Sequence, residues 1–405
     1  MKIPPFLILL GCSILPALAE PGVVVTLDSV GDRVRAGNPT LAAARLTIDE
    51  AVGQMKQSGR LENPDFDVEL RHNDRFTEKG VEISLSQRFP VTRRLVLEKQ
   101  LGTTLVQAAE NEVREVENTL IGDARAALVR VLAIRARAAL LDEQSALSSE
   151  LAEFIDASAK KGEASPLDAG QAKIESARLI ARRRQLAAEE QQAIGELKPL
   201  LGMATGELLH VSGGLPALDV PDGSDASQRP AEEIARLAVI AAEQQAAIEH
   251  ARRYGDLTAG VFVGAERFTD APEPADKEAI IGVRFSVPLP FWDKNDGNIE
   301  AAEARAARRR KEAFALRQGI LLEAEAARSE MLEWAELAVE IGDELLPQSK
   351  AQTTLTEDAW RKGQGDLITV LRAREQHLEL AASRLDALLE FHLARVRYQT
   401  ALGNP

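Results

Sequence analysis

The sequence predicts a mainly helical chain with a small β portion, written as two tandem copies of one pattern. Three observations predict it. Landmarks repeat: Lys161-Gly162 recurs as Lys362-Gly363 and Leu201-Gly202 as Leu402-Gly403, each at an offset of 201, while Pro90 recurs as Pro290 at an offset of 200. Long stretches run almost without proline or glycine. The composition is rich in Ala, Glu, Arg and Leu, with only 4% aromatic residues, which favours long helices over a compact enzyme with a roomy apolar pocket.

The chain opens on an export segment. Met1-Lys2 is a minimal positive region, the stretch from Ile3 to Leu15 is mostly apolar, and Ala17-Leu18-Ala19 offers a small-x-small cleavage site, so the signal peptide spans 1–19 and the mature chain is expected to begin at Glu20. The alternative is a lipobox, Leu9-Leu10-Gly11-Cys12, with Cys12 lipidated. The first copy, 20–206, has helical character from Leu41 to Gln57. Phe66, Val68 and Leu70 then alternate with Asp65, Asp67, Glu69 and Arg71, and Val81, Ile83 and Leu85 with Glu82, Ser84 and Ser86. Both are period-2 strands. Residues 93–158 form a helix that could extend ~100 Å at 1.5 Å per residue. It stops at Lys161-Gly162, and the next helix begins with Ser165 as N-cap and Pro166 at its first position. A linker, 207–228, is broken by Gly213-Gly214, Pro216, Pro221 and Gly223. The second copy, 229–405, repeats the plan: alternating runs at 257–264 and 283–289, a helix over about 298–360, Gly363, and a last helix capped by Asp366. Pro347 is expected to kink or locally open its helix.

This pattern has physical consequences. Helices so long must pack laterally as coiled coils, and alanine allows close approach. No stretch after the export segment approaches the ~20 apolar residues of a membrane helix, so a membrane could be crossed only with strands. Four strands leave two open edges, which a bilayer does not tolerate. A barrel would therefore be shared between subunits, its apolar residues facing lipid and Asp67, Glu69, Glu82 and Arg284 facing water. Phe76, Phe89, Phe268, Phe291 and Trp292 suit interfacial girdles, and the turns near 72–79 and 269–278 are short. A half-buried sheet in a soluble protein would alternate in the same way.

Several chemistries are set aside. A net charge of −14 argues against nucleic acid. Cys12 is the single cysteine, so a mature chain has no disulfide, zinc knuckle or cysteine nucleophile. His72, His210, His250, His377 and His392 show no i, i+3 or i+4 pairing, so no metal site is expected. The run from Asp293 to Asn298 departs from a calcium loop, with Gly297 one place off and Ala304 where a glutamate is needed. Arg182-Arg183-Arg184 and Arg308-Arg309-Arg310 read as solvated faces or interhelical pairs. Phosphate loops and a GxSxG elbow are absent. The expectation is a protein without catalysis or cofactor.

Leu85-Ser86-Gln87-Arg88-Phe89-Pro90 and the run from Val287 through Pro290-Phe291-Trp292-Asp293 to Ile299 resemble the strand-to-helix joints of the TolC family of outer-membrane efflux factors, nearest the CzcC- or CusC-like branch. Leu345-Leu346-Pro347-Gln348, Trp360-Arg361-Lys362-Gly363 and the run from Asp366 to Leu371 resemble that family's second hairpin tip, and Lys161-Gly162 with Asp168 its first. The resemblance covers nearly the whole mature chain. It implies a homotrimer whose four strands per chain make a 12-stranded transmembrane β-barrel in the cell outer membrane, above an α-barrel tunnel reaching through the periplasm. It further implies a passive duct served by a periplasmic membrane-fusion adaptor and an inner-membrane resistance-nodulation-division pump, with heavy-metal ions among the cargo to consider. Adaptor-docking candidates are Lys161, Gly162, Glu163, Lys362, Gly363 and Gln364. The gate region falls on Asp168, Gly365, Thr369 and Arg372, where Gly365 replaces the arginine that pairs with the gate aspartate, and Thr369 and Arg372 replace a lumen-facing aspartate pair. The family's acidic ring is therefore not expected here, and Asp168 also reads as a capping-box residue. The rival reading is a soluble periplasmic coiled-coil scaffold or adaptor without a pore; a secreted enzyme ranks below both.

Overall fold

The computed structural model describes residues 23–74, 78–221, 227–268 and 276–405. The export segment with Cys12, the girdle residue Phe76, Gly223 and the middle of the second strand turn lie outside them. In chain order the elements are β1 (Val23–Val25), α1 (Val30–Gly37), α2 (Pro39–Gln57), β2 (Asp65–His72), β3 (Lys79–Phe89), α3 (Arg94–Lys161), α4 (Pro166–Leu200), β4 (Leu209–Val211), α5 (Pro230–Arg252), β5 (Leu257–Phe268), β6 (Asp276–Ser286), α6 (Asp296–Glu340), a π-helical turn (Ile341–Leu345), α7 (Leu346–Arg361) and α8 (Leu367–Ala401).

Helix α3 has 68 residues and so extends about 100 Å at ~1.5 Å per residue. Small residues let its neighbours approach. On α6 the buried positions Ile320, Ala324, Ala327, Met331, Ala335 and Ala338 are spaced by three or four residues, as are Ala387, Phe391, Ala394, Tyr398 and Ala401 on α8. That is the 3.5-residue period of a coiled-coil seam. The seams meet in two clusters, one holding Met331, Ala335, Phe391 and Ala394, the other Ala324, Ala327, Tyr398 and Ala401.

Pro347 falls in the first turn of α7, immediately after the π-helical turn. The helix therefore opens locally at this proline and continues. Each i→i+5 ring encloses one residue more than an α-helical ring, which suits the change in landmark offset from 200 at Pro90/Pro290 to 201 at Lys161/Lys362.

The linker carries structure that alternation did not signal. Strand β4 pairs in parallel with β1, Val23 with Leu209 through Val25 with Val211. These three-residue strands cap a core of Val25, Val30, Val34, Ile121, Leu128, Leu197 and Leu201. Beyond β4 the chain lies against α8: His392 Nε2 is 3.1 Å from the Pro216 carbonyl and Arg395 is 3.2 Å from Asp219. His392 is buried, and desolvation holds its pKa below the ordinary 6.5 despite the opposing effect of the Pro216 carbonyl. Because the unfolded chain then binds the proton more readily than the folded one, the contribution of His392 is complete above about pH 6.5 and is lost as pH falls through the folded pKa. Thermal unfolding followed from pH 8 to pH 5 should show this loss, and His392→Gln should flatten that part of the profile; an unchanged profile would exclude His392 as its source.

All four longer strands form one antiparallel sheet in the order β2-β3-β5-β6. The β3–β5 ladder, Lys79 opposite Arg267 through Phe89 opposite Leu257, joins the two copies.

Candidate functional site

Two regions can carry function: the sheet and, at the far ends of the long helices, the hairpin tips.

The ladder places matched residues in rows. Leu70-Val81-Ala265-Ala279, Val68-Ile83-Val263-Ile281 and Phe66-Leu85-Val261-Val283 cross the sheet on one face. Between them, Arg71-Gly80-Glu266-Glu278, Glu69-Glu82-Gly264-Ile280 and Asp67-Ser84-Phe262-Gly282 cross on the other. On the two central strands the apolar face is the more exposed one: Ile83 is 41% exposed and Val263 49%, whereas the Glu82 and Glu266 side chains are only 16% and 25% exposed; the outer strands, each with an open edge, are largely exposed on both faces. A sheet folded against a soluble core would show the reverse, because burial of apolar surface is what holds such a sheet in place. On the polar face Arg71 lies 2.9 Å from Glu69, 3.5 Å from Glu82 and 3.4 Å from Glu266. Arg284 reaches Glu82 at 3.1 Å and sits 5.1 Å from the Phe262 ring centre. Glu69, Glu82 and Arg284 thus share the polar face as expected, with Glu82 common to both arginines. Strands β2 and β6 each have one ladder neighbour among the described residues, so both outer edges of the sheet are open.

The two tips are built alike. Gly162 ends α3 at φ 79° and Gly363 ends α7 at φ 72°, the left-handed conformation that glycine adopts without a Cβ penalty. At the first tip Gly162 N–H donates to Ala159 O and Glu163 N–H to Ser158 O; at the second Gly363 N–H donates to Trp360 O and Gln364 N–H to Ala359 O. Ser165 Oγ caps α4 by accepting from Leu167 N–H, and Asp366 Oδ1 caps α8 by accepting from Thr369 N–H. Hydrogen bonding from the Thr369 hydroxyl, and then from its backbone N–H, holds the Asp366 pKa down. Side-chain packing joins the tips into one cluster of Ala152, Ile155, Ala169, Ala172 and Leu367 with Trp360 and Leu371 against it. Phe154 meets Trp360 edge-on at 6.2 Å. Lys161, Gly162, Glu163, Lys362, Gly363 and Gln364 are all exposed there.

The gate candidates are less united. Asp168 is half-buried in the first turn of α4, while Gly365, Thr369 and Arg372 are exposed. Arg372 lines a groove of about 280 Å³ with Gln171, Ile174, Glu175, Ile368 and Glu375, and Asp168 is not among its lining residues. Ion pairs between the hairpins are made elsewhere, by Arg178 on α4 to Glu375 on α8 at 2.9 Å and by Arg137 on α3 to Asp386 on α8 at 3.0 Å. The Arg178–Glu375 pair, 197 residues apart, leaves no trace in spacing.

A second missed feature was readable. Asp156 accepts from Lys160 at 2.7 Å and Lys173 at 2.6 Å, and these bonds lower its pKa to about 2. Glu357 accepts from Arg374 at 2.6 Å. Adding 201 to Asp156 and Lys173 gives Glu357 and Arg374, so one ion pair is written twice with its sign kept. The repeat offset applied to charged residues would have found it.

No family model matches the chain. It is 26% identical over 410 residues to the cobalt-zinc-cadmium resistance protein CzcC of Cupriavidus metallidurans, spanning 97% of this chain and 90% of that protein. Among solved structures, the outer-membrane channel OprN superposes with a TM-score of 0.78 at 18% identity, over 94% of this chain and 90% of that one. CusC, solved in work on transmembrane channel formation, gives 0.78 at 17% over 95% and 93%. The CmeC outer-membrane channel of Campylobacter jejuni gives 0.73 at 14% over 93% and 85%. These structural likenesses establish the fold.

Proposed function

We propose that this chain, a member of the TolC family of outer-membrane efflux channels, is the exit duct of a tripartite efflux system. The observation that carries the reading is the open-edged sheet whose exposed face is apolar. In a bilayer the unpaired N–H and C=O groups of β2 and β6 need partners. A second copy can supply them, and three copies of a four-stranded sheet give twelve strands, within the range of known barrels. The apolar rows then face lipid and the Arg71 and Arg284 networks face the water-filled lumen. The helices, which leave the opposite end of the sheet from the strand turns, continue into the periplasm. Conduction is passive, because catalysis has no part in a duct fed by a pump. The soluble scaffold does not fit an exposed apolar sheet, and the fold is that of a channel rather than of an adaptor.

The cargo follows from the relative: divalent metal ions of the cobalt, zinc and cadmium kind, released by a resistance-nodulation-division pump through a periplasmic adaptor. The paired tips are the docking surface, with Lys161, Gly162, Glu163, Lys362, Gly363 and Gln364 in contact with the adaptor. Asp168, Gly365, Thr369 and Arg372 lie in the gate region, where the Arg178–Glu375 pair ties the hairpins together within one chain. The test is a native mass by light scattering of protein extracted in detergent from purified outer membranes, with a crosslinker at Lys362→Cys in the same cells. About three chain masses and an adaptor crosslink are expected. A species soluble without detergent would overturn the duct; a trimer whose tip captures no adaptor would overturn the docking assignment alone.

A further inference from the structure

The open edges of the sheet constrain how a second copy can meet the first. Strand β2 presents one edge and β6 the other, each with an apolar outward face and a polar inward face. Side chains keep their face across a seam only if its register changes in steps of two residues. Asp65, Ser86, Gly260 and Arg284 share one row of the polar face. Joined without any shift, the seam would set the partner's Asp65 opposite Arg284. A closed barrel demands a shift, because its strands tilt against the axis.

Handedness gives the direction of that shift. Asn73 N–H donates to Glu78 O, a hydrogen-bonded pair one step beyond His72 and Lys79 in the β2–β3 ladder, and Asn73 falls on the polar face by the period of two. Seen from the apolar side with the strand turns uppermost, β2 rises. On a rising strand of L-residues, a residue whose side chain points away from the viewer directs its N–H and C=O to the left. Strand β3 thus lies left of β2, and the order β2-β3-β5-β6 runs leftward. Right-handed twist makes barrel strands lean upward to the right. Rows at right angles to them climb leftward, so each row meets the next copy nearer the turns. Tilt gives the size of the shift. The tangent of the tilt is the shift times ~3.4 Å per residue, divided by four strand spacings of ~4.8 Å. Shifts of two, four and six residues correspond to about 20°, 35° and 47°, and membrane barrels tilt by about 35–45°.

We propose that β6 of each copy joins β2 of the next with a shift of four residues, setting Arg284 opposite the partner's Glu69. The proposal rests on the shared-barrel reading above. Residues 281–286 of β6 then face 67–72 of the partner's β2, with Val283 against the partner's Leu70 and Phe285 against the partner's Val68 on the lipid side. Arg284, already 3.1 Å from Glu82 of its own chain, bridges the seam. The partner's Arg71 lies diagonal to it, opposite Gly282, and has Glu69, Glu82 and Glu266 of its own chain within 3.5 Å. The other charges near the seam cause no conflict. Asp276, Lys277 and Glu278 pass beyond the end of the partner's β2, the partner's Asp74 meets Ala279, and the partner's Asp67 meets Ser286. Glu78 faces Asn73 of its own chain. A shift of six would set Arg284 opposite the partner's Arg71. A shift of four the other way would set Asp276 opposite the partner's Glu69 and Glu278 opposite the partner's Asp67. Like charges directly opposed destabilise a ladder and opposite charges support it, so charge selects the register that handedness and tilt allow.

The test is disulfide trapping of the full chain in outer-membrane vesicles, oxidised with copper phenanthroline and resolved without reductant. Within one chain β2 and β6 are separated by β3 and β5, about 14 Å at ~4.8 Å per strand, so a disulfide between them can only join subunits. Leu70→Cys/Val283→Cys probes the proposed register on the lipid face and Asp67→Cys/Ser286→Cys on the lumen face. Val283→Cys combined with Phe66→Cys, Val68→Cys or His72→Cys probes shifts of zero, two and six. Directly opposed positions bring Cβ atoms to ~4.5–5.5 Å and diagonal ones only to ~7–8 Å. Both proposed pairs should therefore give roughly fivefold more covalent trimer than any other pair or any single-cysteine variant, the latter accounting for Cys12. A higher yield from a pair reporting another shift would overturn the register. Should the double variants fail to assemble, co-expressed Leu70→Cys and Val283→Cys chains must yield covalent dimers, and their absence would overturn it equally. A wild type that is no trimer in detergent refutes the shared barrel itself; a trimer trapped in another register, or in none, refutes only this seam.

Discussion

Replacing Ile83 with arginine is expected to abolish accumulation of the chain in the outer membrane, whereas arginine at the neighbouring Ser84 is expected to leave assembly intact. Ile83 sits in the middle outward row, Val68-Ile83-Val263-Ile281, and Ser84 in the row Asp67-Ser84-Phe262-Gly282 on the polar face. In lipid, an arginine near the bilayer midplane of a barrel costs about 2–4 kcal/mol. A trimer places three of them at the same depth, about 6–12 kcal/mol in all, comparable with the ~5–15 kcal/mol that holds a whole domain together. In water the expectation is the opposite. Ile83 is 41% exposed in the single chain, and a charged substitution at such a surface position shifts stability by only about 0.5 kcal/mol. Outer-membrane abundance of the two variants therefore separates the lipid-facing sheet from a soluble one. Near-normal membrane levels of the Ile83→Arg protein would sink the assignment of faces.

What could be read in advance divides along physical lines. The long helices, the first three of the longer strands and the tips were legible because each rests on local chemistry: absence of proline over 68 residues of α3, alternation from Asp65 to Arg71 and from Val81 to Ser86, and Ser165, Pro166 and Asp366 at helix starts. The fourth, expected over 283–289, is Asp276–Ser286: alternation through Leu289 ran on into the strand-to-helix joint, and the strand begins well before it. Strands β1 and β4 were not legible, because three residues are too few for alternation to register and their partner lies almost the full length of the first copy away. The linker's docking through Pro216 and Asp219 rests on a carbonyl and a carboxylate that only the fold brings to His392 and Arg395. For the site, local reading found the turn glycines and their flanks. It did not find Arg178–Glu375, whose two members belong to different copies, because nothing in either copy alone marks the pairing. The alternation was ambiguous by nature. Only the exposure of the apolar face, a property of the folded sheet, separates lipid from core.

The glycine landmarks of the repeat look equivalent in sequence, yet substituting them should have very unequal effects. Gly162 and Gly202 both adopt positive φ, 79° and 65°. A Cβ added at Gly162 meets nothing within 4 Å, so Gly162→Ala costs only the left-handed conformation, about 1 kcal/mol. At Gly202 the same Cβ would lie 1.8 Å from the Gly37 carbonyl oxygen, a backbone atom that cannot swing aside. Gly37 ends α1, and the next residue, Asn38, caps α2 through Leu41 N–H while donating to Leu200 O at 2.8 Å. Making room would therefore separate the end of α4 from the α1–α2 junction and break that buried bond as well. A loss on the order of 3–5 kcal/mol is expected for Gly202→Ala, the range reached when strain and a broken buried contact combine. Gly403 repeats the joint: its Cβ would lie 2.7 Å from Arg229 Cα, beside the bond from Gln228 N–H to Leu402 O. It should fall between the other two. Urea unfolding of the helical portion, followed by circular dichroism in detergent, ranks the three alanine variants. Equal, small shifts would mean that all three glycines serve only as helix stops, and that the duplicated Leu-Gly landmark marks a turn rather than the place where each hairpin returns to the body of the chain.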